Sequence, residues 1–536
     1  MAVKKKIEAT AKPMARRTSW GECSANSICP ETPDREVRQP RTCSARLESL
    51  PPSCVARGRV GGGAPSSLLP AQVRGRMALG SVTCPGVQYV VPLCFLSADQ
   101  TMADDIFTPD FEFKPYWWDA APRPTDDPGP MPKDADVAIV GSGYTGLSAA
   151  LTLAKAGCKV VVFEADVPGY GASSRNGGMV GPALSLSSAK KLMETHGRER
   201  GAGILQEGLN AVEYLVDLVV REKIDCKLQM AGRFKGAARP GQLDGMAREI
   251  EDIQKLVDWK AHVVPKSQQH DHIGSDRYHG GMVIHRDGGL HPGLYHLGLL
   301  EAVRRAGVTV LPKTPVTGVV RERQRVAVTT TRGEVSAGHA LVATNGYTGP
   351  FAAEFRRRVI PIRSAIIATE PIPKQQMDRL MPKRHMLVEN KHIHCYYRPS
   401  PDHTRIVFGG RALHQGSADA ERENARDLHQ RMVEIFPETV TTKVSRYWSG
   451  YVAFTFDERP HLGLMDGIHY AMGYCGSGVT RSTYFGHRIA QQIMGMPEGK
   501  TAYDGLPFET RPLYYGKPWF LPPVLAWYRF ADKVGL

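Results

Sequence analysis

The stretch DADVAIVGSGYTGLSAALTLAKAGCKVVVFEADVPGYGASSRNGG, residues 134–178, decides the fold. Its apolar run ends in Gly141, Gly143 and Gly146, a pattern that predicts a buried strand turning directly into a helix. Apolar residues then recur at helical spacing, and Gly157 is placed to end that helix before a second apolar run. The stretch therefore predicts a strand, a helix and a second strand in one βαβ unit.

Each conspicuous residue of this unit has a physical reason to be there. Gly141 permits the tight turn, Gly143 lets the backbone approach a pyrophosphate, and Gly146 lets the helix pack closely on the strand. The helix amino end offers free amides to phosphates. Glu164, which follows the second strand, is placed to accept ribose hydroxyls. A purely structural βαβ turn is the alternative, but the agreement of all these parts favours dinucleotide binding.

The charge of the chain is unevenly distributed. The 536 residues carry a formal net charge of +14, which by itself would suggest nucleic acid as a partner. Residues 1–101 hold half of that excess, however, and they lack hydrophobic periodicity. The rest of the chain is only mildly basic, so we expect no nucleic-acid partner.

Cysteine usage indicates a reducing, cytoplasmic location. Six of the ten cysteines lie within residues 1–101, and no pair has the spacing of a zinc site. His392, His394 and Cys395 alternate in an apparent strand without a fourth ligand nearby, so we expect no metal.

The chain divides into segments of different character. Residues 1–101 are expected to be disordered or a mis-assigned start, and 102–133 form an aromatic arm with a proline-rich linker. Segments of a nucleotide-binding lobe and of a second lobe then alternate along the chain. We infer this because apolar residues at helical spacing and a predicted β-meander are followed by a region of strands and turns. The expected ranges are 134–225, 290–350 and 448–500 for the nucleotide lobe, 226–289 and 351–447 for the second lobe, and 501–536 for a tail.

Four motifs in order carry a family resemblance. ASSRNGG at 172–178, ATNGYT at 343–348, WSGYVAFTFDERPHLG at 448–463 and GYCGSGV at 473–479 accompany the opening glycine pattern. Together they resemble FAD-dependent oxidoreductases of the D-amino-acid oxidase superfamily, and are most similar to the gamma-glutamylputrescine oxidoreductase-like branch. The resemblance implies an α/β fold: a Rossmann-like FAD-binding domain of the glutathione-reductase type, with a second α+β substrate domain built on a mainly antiparallel sheet.

The resemblance also implies which residues bind FAD. The run 175–178 contains no histidine, so we expect the FAD to be non-covalent. The implied cofactor residues are Gly141, Ser142, Gly143, Tyr144, Thr145, Gly146, Glu164, Ala165, Ser173, Ser174, Arg175, Asn176, Gly177, Gly178, Val316, Thr344, Gly346, Gly476, Ser477, Gly478, Val479 and Thr480.

The reaction that the resemblance implies is oxidation of an amine. A hydride passes from the carbon beside the nitrogen to flavin N5, and water hydrolyses the imine to an aldehyde or keto product. Oxygen or an electron carrier then accepts the electrons. Two alternatives stay open: a D-amino-acid or imino-acid dehydrogenase that passes electrons to a membrane carrier, and an FAD-containing RNA-modifying or RNA-binding protein.

The substrate pocket is expected to come from the second lobe. Arginines that flank its strands are candidates to pair with a substrate carboxylate, and Arg411 is one of them. No general base stands out in the sequence. The aromatic tail is expected to pack on the body or to contact a membrane or another subunit. The candidate pocket residues are Tyr278, Arg363, Tyr397, Arg398 and Trp448.

Overall fold

The computed structural model describes residues 106–184, 188–414 and 416–534. The expectations for residues 1–101 lie outside this part of the chain. Within it, two large sheets and the helices packed on them form the body of the protein.

The first sheet has eight strands among the described residues. Its centre is parallel, and the predicted strand after the linker pairs there with the strand that ends in Phe163. The β-meander predicted at 315–343 extends one edge. The strands are Asp134–Val140, Val160–Phe163, Thr309–Leu311, Val316–Glu322, Arg325–Thr330, Gly333–Val342, His461–Met465 and Ile468–Met472.

Three helices pack on one another against this sheet. Tyr144–Lys155 is buried along most of its length, and its side chains share one core with Pro292–Arg305 and Gly478–Ile493. A Cβ at Gly486 would stand 2.4 Å from the Thr145 carbonyl oxygen, so the helices cross in close backbone contact. This packing fixes two helix amino ends beside each other.

The second sheet has nine strands in the described part of the chain, and six of its eight neighbouring pairs are antiparallel. Its order runs Phe107–Glu112, Val444–Phe454, Ile360–Thr369, Ile406–Arg411, Tyr396–Pro399, Met386–Glu389, Arg233–Gly236, Gly281–Ile284 and Ala261–Val264. The predicted α/β fold class, with a mainly antiparallel second sheet, is confirmed. A two-stranded ladder joins Met179–Val180 to Gly288–Gly289.

The aromatic arm contributes more than aromatic contacts. Its strand Phe107–Glu112 pairs in parallel with Val444–Phe454, and Thr108 Oγ1 donates to the Val444 carbonyl oxygen at 3.4 Å. The strand Val444–Phe454 lies wholly in the nine-stranded sheet, so the lobe boundary expected at residue 448 falls inside a strand.

Eight further helices complete the described part of the chain. No helix in the described ranges is both long enough and apolar enough to cross a membrane. These helices are Trp117–Ala120, Ala189–His196, Arg198–Arg221, Gln242–Gln254, Ala353–Arg356, Lys374–Leu380, Ala418–Ile435 and Leu521–Val534.

Candidate active site

A cavity of about 1400 Å³ lies between the two sheets. Its lining comes from the glycine turn of the first sheet, from one face of the second sheet and from the last helix of the chain. Cavities that hold one drug-sized ligand are about 300–1,000 Å³. The volume therefore suits a large cofactor together with a small substrate.

The glycine turn has no room for side chains. Gly141 adopts φ +104°, and a Cβ there would stand 3.1 Å from the Ala343 carbonyl oxygen. A Cβ at Gly146 would stand 1.9 Å from the Gly141 carbonyl oxygen, and one at Gly143 would stand 3.0 Å from Ser173 Oγ. The backbone at this helix amino end is therefore open to an anionic ligand.

Glu164 closes the side of this turn. Its Oε2 accepts hydrogen bonds from the Ser142 backbone nitrogen at 3.0 Å and from Ser142 Oγ at 2.6 Å. Ser142 consequently points at the carboxylate, whereas Glu164 and Ala165 line the cavity. The acid is placed where the sequence pattern predicts the ribose-binding group.

The segment 172–178 folds over the helix amino end. Ser173 Oγ accepts from the Tyr144 backbone nitrogen at 3.0 Å, and Asn176 Nδ2 donates to the carbonyl oxygens of Ala172 and Ser173. Asn176 Oδ1 accepts from the Gly178 nitrogen at 2.8 Å. These bonds leave Arg175 and Gly177 on the cavity lining.

Three indole N–H groups hold this segment in place. Trp117 Nε1 donates to the Asn176 carbonyl oxygen at 2.9 Å, and Trp118 Nε1 donates to Ser174 Oγ at 2.8 Å. Trp448 Nε1 donates to the Arg175 carbonyl oxygen at 2.7 Å. The arm and the second sheet therefore jointly position the segment 172–178.

A second helix amino end faces the same cavity. Gly476 has φ +87° and Cys475 has φ +50°, so the chain turns sharply before the helix Gly478–Ile493. The sequence pattern predicts a helix that starts at Ser482, and the helix begins four residues earlier, at Gly478. Its first turn, with Gly476 and Ser477, lies on the cavity lining.

The loop after the strand Gly333–Val342 contacts both the glycine turn and the segment before the second helix amino end. Asn345, at φ +47°, accepts a hydrogen bond through Oδ1 from the Gly473 nitrogen at 2.9 Å. Thr344 and Val316 line the cavity. Gly346 instead packs against Tyr451.

The structure brings most of the predicted cofactor residues together. Five of them lie behind the lining, where they shape it through packing or hydrogen bonds, and the others face the cavity. The five are Ser142, Gly146, Ser174, Gly178 and Gly346. The tight glycine turn, the acid and the two helix amino ends together fit FAD.

The floor of the cavity is one face of the nine-stranded sheet. It is largely apolar, with Trp448 and Tyr396 among its aromatic members. Tyr396 Oη lies 2.9 Å from Ser364 Oγ, and burial raises the pKa of Tyr396 to about 12. The other apolar floor residues are Ile360, Ile362, Ile366, Val388, Val452 and Phe454.

Two predicted pocket tyrosines lie elsewhere. Tyr278 and Tyr397 are buried in the core behind the sheet, and their hydroxyl oxygens stand 2.6 Å apart. Burial raises the pKa of both well above the usual value. Tyr278, predicted as a pocket residue, is instead a packed core position, because Gly236 leaves room for its ring.

Two predicted pocket arginines are also placed away from the cavity lining. Arg398 is buried, and its Nη1 donates to the carbonyl oxygens of Gly178 and Leu290 at 2.9 and 2.8 Å. Arg363 forms an ion pair with Glu421 on the opposite face of the sheet. Both guanidinium groups therefore have protein partners, and among the five candidates Trp448 alone lines the cavity.

The last helix was not expected at the site. Phe520, Leu521, Val524, Leu525 and Tyr528 line the cavity, so the tail supplies part of its wall. The apolar pattern of the tail was a signal for packing, but nothing in it indicated which surface the tail covers. Its other face exposes Trp527 and Phe530, and contact of that face with a membrane or a subunit remains a prediction.

Cys475 lies beside the second helix amino end. Its Sγ stands 3.6 Å from Thr455 Oγ1 and donates to the Gly473 carbonyl oxygen at 3.2 Å. Burial raises the pKa of this thiol to about 11, so it is protonated at neutral pH and is a poor nucleophile.

Known proteins match this chain over most of its length. The sequence model of the FAD dependent oxidoreductase family (DAO) matches residues 136–492. The gamma-glutamylputrescine oxidoreductase of Escherichia coli (strain K12) is 30% identical over 406 residues, which cover 75% of this chain and 93% of the relative. The probable oxidoreductase OrdL of Haemophilus influenzae is 28% identical, covering 74% and 92%.

Solved structures share the fold. Glycine oxidase from Geobacillus kaustophilus superposes with a TM-score of 0.59 at 22% identity, covering 71% of this chain and 99% of that one. L-proline dehydrogenase from P. horikoshii gives a TM-score of 0.58 at 19% identity, covering 74% and 99%. The fold is thus a Rossmann-like FAD domain joined to a substrate domain, and the cofactor is FAD. With the family match spanning the glycine turn and both helix amino ends, this chain belongs to the FAD dependent oxidoreductases of the DAO family.

Proposed function

We propose that this enzyme oxidises a small primary or secondary amine at the carbon next to the nitrogen. Bound FAD supplies a hydride acceptor at flavin N5. The resulting imine reacts with water and gives an aldehyde or keto product, with release of ammonia or an amine. Oxygen or an electron carrier removes the electrons, and we expect no nucleic-acid partner. The FAD is proposed to be non-covalent, because the run 175–178 has no histidine and Cys475 is a buried thiol.

The apolar floor is the observation that carries this proposal. An amine gives up a hydride when its nitrogen is neutral, because the lone pair stabilises the positive charge that develops on the carbon. Burial in an apolar environment disfavours the ammonium form and lowers the amine pKa. Ile362, Ile366 and Trp448 lie on one such surface of the sheet, and Trp448 contacts the segment 172–178 directly.

The second helix amino end adds electrostatic support. Its dipole and free amides favour negative charge in the cavity, and they act without reorganising. Gly476, Ser477 and Gly478 lie on the lining at that point. Trp448 has a positioning role, since its indole fixes the Arg175 carbonyl oxygen.

The names of related proteins favour the same chemistry. The match to gamma-glutamylputrescine oxidoreductase covers three quarters of this chain, and one of the similar folds is the iminodiacetate oxidase from Chelativorans sp. BNC1. Both names describe compounds with an oxidisable carbon beside an amine nitrogen. The proposed substrate class is therefore a gamma-glutamylputrescine-like or amino-acid-like amine. The cytoplasmic location stays a prediction from cysteine usage.

An anaerobic substrate panel tests the proposal. The enzyme is mixed without oxygen with gamma-glutamylputrescine, putrescine, glycine, iminodiacetate, L-proline and D-alanine, and flavin absorbance is followed. We expect bleaching by at least one of the amines or glycine derivatives, and hydrogen peroxide on admitting air if oxygen is the acceptor. Bleaching by D-alanine or L-proline alone would replace the proposal with the dehydrogenase alternative.

The RNA-related alternative has its own test. A protein that begins at Met102 is titrated with RNA at several salt concentrations. Binding that weakens steeply with salt would indicate many phosphate contacts and would favour that alternative. We expect no such binding.

A further inference from the structure

Two buried side chains on the cavity lining keep a polar atom without a partner. Asp287 is 2% exposed and Trp259 is 1% exposed, and both belong to the lining. Among the residues that the structure describes, no group forms a hydrogen bond with Asp287 Oδ1 or with Trp259 Nε1. Buried polar atoms are normally hydrogen-bonded, so each exception calls for an explanation. A ligand in the cavity would supply the missing bonds.

These two residues lie at the same end of the second sheet. The strands Ala261–Val264 and Gly281–Ile284 are antiparallel neighbours. Trp259 lies two residues before the start of the first strand, and Asp287 lies three residues after the end of the second. Because antiparallel strands run in opposite directions, the start of one is beside the end of the other. An unpaired acceptor and an unpaired donor therefore share one part of the cavity wall.

The carboxylate of Asp287 is held through its other oxygen. Arg233 Nε lies 2.6 Å from Asp287 Oδ2 and forms an ion pair with it from the neighbouring strand. A Cβ at Gly181 would stand 2.5 Å from the same oxygen, so the carboxylate packs directly against the backbone there. The Gly181 carbonyl oxygen accepts from Thr480 Oγ1 at 2.9 Å, in the first turn of the helix Gly478–Ile493. Oδ2 is thus engaged, and Oδ1 is the oxygen left for a ligand beside the cofactor site.

The other acids of the lining that are not exposed have partners for both oxygens. Glu164 accepts through both from neighbouring residues of the cofactor site. Glu389 accepts through Oε1 from Lys391 Nζ at 3.0 Å and through Oε2 from the Cys395 nitrogen at 3.1 Å. Asp287 differs from both, because one of its oxygens has no partner in the described part of the chain.

We propose that Asp287 Oδ1 binds the amino group of the substrate. A carboxylate oxygen accepts hydrogen bonds and an amino group donates them, more strongly when the nitrogen is protonated. A neutral amine, the form that gives up a hydride, still has N–H groups to donate. The Trp259 N–H on the same part of the wall can donate to an acceptor on the ligand. The inference rests on the proposed function and adds the residue that holds the amine in the cavity.

The charge of Asp287 agrees with this role. Burial raises the pKa of Asp287 to about 6, and the nearby Arg233 guanidinium acts in the opposite direction. The group is therefore a carboxylate above about pH 7, and its pairing with Arg233 keeps it ionised inside the protein.

A binding experiment tests this contact without turnover. tert-Butylamine has no hydrogen on the carbon next to its nitrogen, so it cannot give up a hydride there, and tert-butanol is a neutral molecule of nearly the same shape. Their affinities for the FAD-loaded enzyme are measured by calorimetry at about pH 8, where an alkyl amine is protonated in water. We expect tert-butylamine to bind more tightly, and Asp287→Asn to weaken it by about 10- to 100-fold with little change for tert-butanol. Equal affinities in the unaltered enzyme, or equal losses for both ligands, would overturn the proposal.

A double variant separates direct contact from the unpaired charge that Asp287→Asn leaves on Arg233. Asp287→Asn combined with Arg233→Met removes both charges of the pair. We expect its affinity for tert-butylamine to stay as low as in Asp287→Asn, because the acceptor oxygen is still missing. Recovery of the unaltered affinity in the double variant would show that repulsion by Arg233 caused the loss, and the proposal would fail.

Asp258→Asn is the matched control for removal of a negative charge. Asp258 is exposed, precedes Trp259 in the chain and does not line the cavity. We expect this variant to bind both ligands like the unaltered enzyme. Bound FAD and Tm are measured for each variant. A loss in Asp258→Asn equal to that in Asp287→Asn contradicts the inference, as does a loss of FAD in Asp287→Asn with the preference for tert-butylamine intact.

Turnover provides a second readout. For an amine that bleaches the flavin, we expect Asp287→Asn to raise KM by about 10-fold or more, with kcat changing less. If no amine bleaches the flavin, the proposed function fails while the tert-butylamine experiment still decides the contact. A fall in kcat alone, with the preference for tert-butylamine intact, counts against the contact.

Discussion

The glycine turn and the floor of the cavity are built in opposite ways. At the turn the ligand-facing atoms belong to the backbone, and Gly141, Gly143 and Gly146 are needed because side chains would fill the space. At the floor the ligand-facing atoms belong to side chains from neighbouring strands, and Gly409 leaves room for the Tyr396 ring. The turn therefore depends on local sequence, whereas the floor depends on strand register over long distances.

This difference separates cofactor binding from substrate choice. A backbone site tolerates few substitutions, because every Cβ meets a carbonyl or a side chain nearby. A side-chain site changes its chemistry with each substitution while its backbone persists. We therefore expect changes at the turn to act on FAD binding and changes at the floor to act on substrate KM.

The largest expected effect is at the turn. In Gly146→Ala the added methyl group would stand 1.9 Å from the Gly141 carbonyl oxygen, so the helix must move away from the turn. We expect FAD affinity to fall by about 10- to 100-fold, or 1–3 kcal/mol, as for other overpacked positions. Flavin absorbance per mole of purified protein and a titration of the apoprotein with FAD measure this.

Gly245→Ala is the matched control for this prediction. Gly245 lies inside the helix Gln242–Gln254, and no atom stands within 4 Å of its added Cβ. Alanine should stabilise that helix by up to about 1 kcal/mol without affecting FAD. Normal FAD content in Gly146→Ala would contradict the account of the turn.

Acid should destabilise the fold through a buried histidine next to the glycine turn. His296 is fully buried, its Nε2 lies 2.8 Å from the Ser142 carbonyl oxygen, and its Nδ1 lies 3.1 Å from Arg123 Nη1. Both contacts suit a neutral ring that donates from Nε2, and burial together with the Arg123 charge lowers its pKa to about 3.

The sign of the pH effect follows from that depressed pKa. An unfolded histidine takes up a proton near pH 6.5, whereas the folded one does not until near pH 3, so protons favour the unfolded chain between these values. The stabilisation that comes from the neutral His296 ring is complete above pH 6.5. Below that pH the equilibrium constant for unfolding rises by up to about tenfold per pH unit. Denaturant titrations from pH 7 to pH 4 measure this slope. His296→Gln should flatten the slope and the exposed His270→Gln should not; equal slopes in all three proteins would refute the assignment.

A smaller effect is expected where the floor meets the turn. Trp448→Phe keeps an aromatic ring on the floor but removes the hydrogen bond to the Arg175 carbonyl oxygen. Leaving that carbonyl unpaired should weaken FAD binding by about 1 kcal/mol, or roughly 5-fold, with Tm falling slightly. The exposed Trp519→Phe is the control. A change in substrate KM without any change in FAD affinity would show that Trp448 serves the floor alone.

No effect is expected at Cys475. Because its thiol is buried and protonated, acid precipitation should release all of the FAD into solution, and Cys475→Ser should behave like the unaltered enzyme. Absorbance of the supernatant and the intact mass of the protein measure this. Flavin that stays with the pellet in the unaltered enzyme and not in Cys475→Ser would reveal a covalent link.

The glycine turn was predictable from sequence for a physical reason. Its geometry arises largely within 45 residues: Gly143 and Gly146 are required by contacts inside that stretch, and Gly141 by its φ of +104°. The contact of Gly141 with the Ala343 carbonyl oxygen is the long-range part that local sequence does not show. The β-meander and the helices were predictable for the same reason, since hydrophobic periodicity is local. Helix ends were less predictable. The helix Gly478–Ile493 includes Gly478 and Val479 in its first turn, although neither residue is a local signal for the start of a helix.

The floor was not predictable in the same way. Which residues of Ile360–Thr369 face the cavity depends on their register with Val444–Phe454, nearly a hundred residues away. Arg363 and Arg411 look equivalent as arginines at strands, yet one meets Glu421 behind the sheet and the other stands on the cavity face. The last helix reaches the cavity only through tertiary packing.

The pairing of the arm with Val444–Phe454 sets an order of events during synthesis. Thr108 leaves the ribosome 336 residues before its partner Val444. At typical elongation rates of 5–20 residues per second, the arm must wait roughly 20 to 70 seconds for the strand on which it docks. Trp448, whose indole fixes the Arg175 carbonyl oxygen, and the helix amino end at Gly478 are synthesised later still, so the FAD pocket is completed late in synthesis.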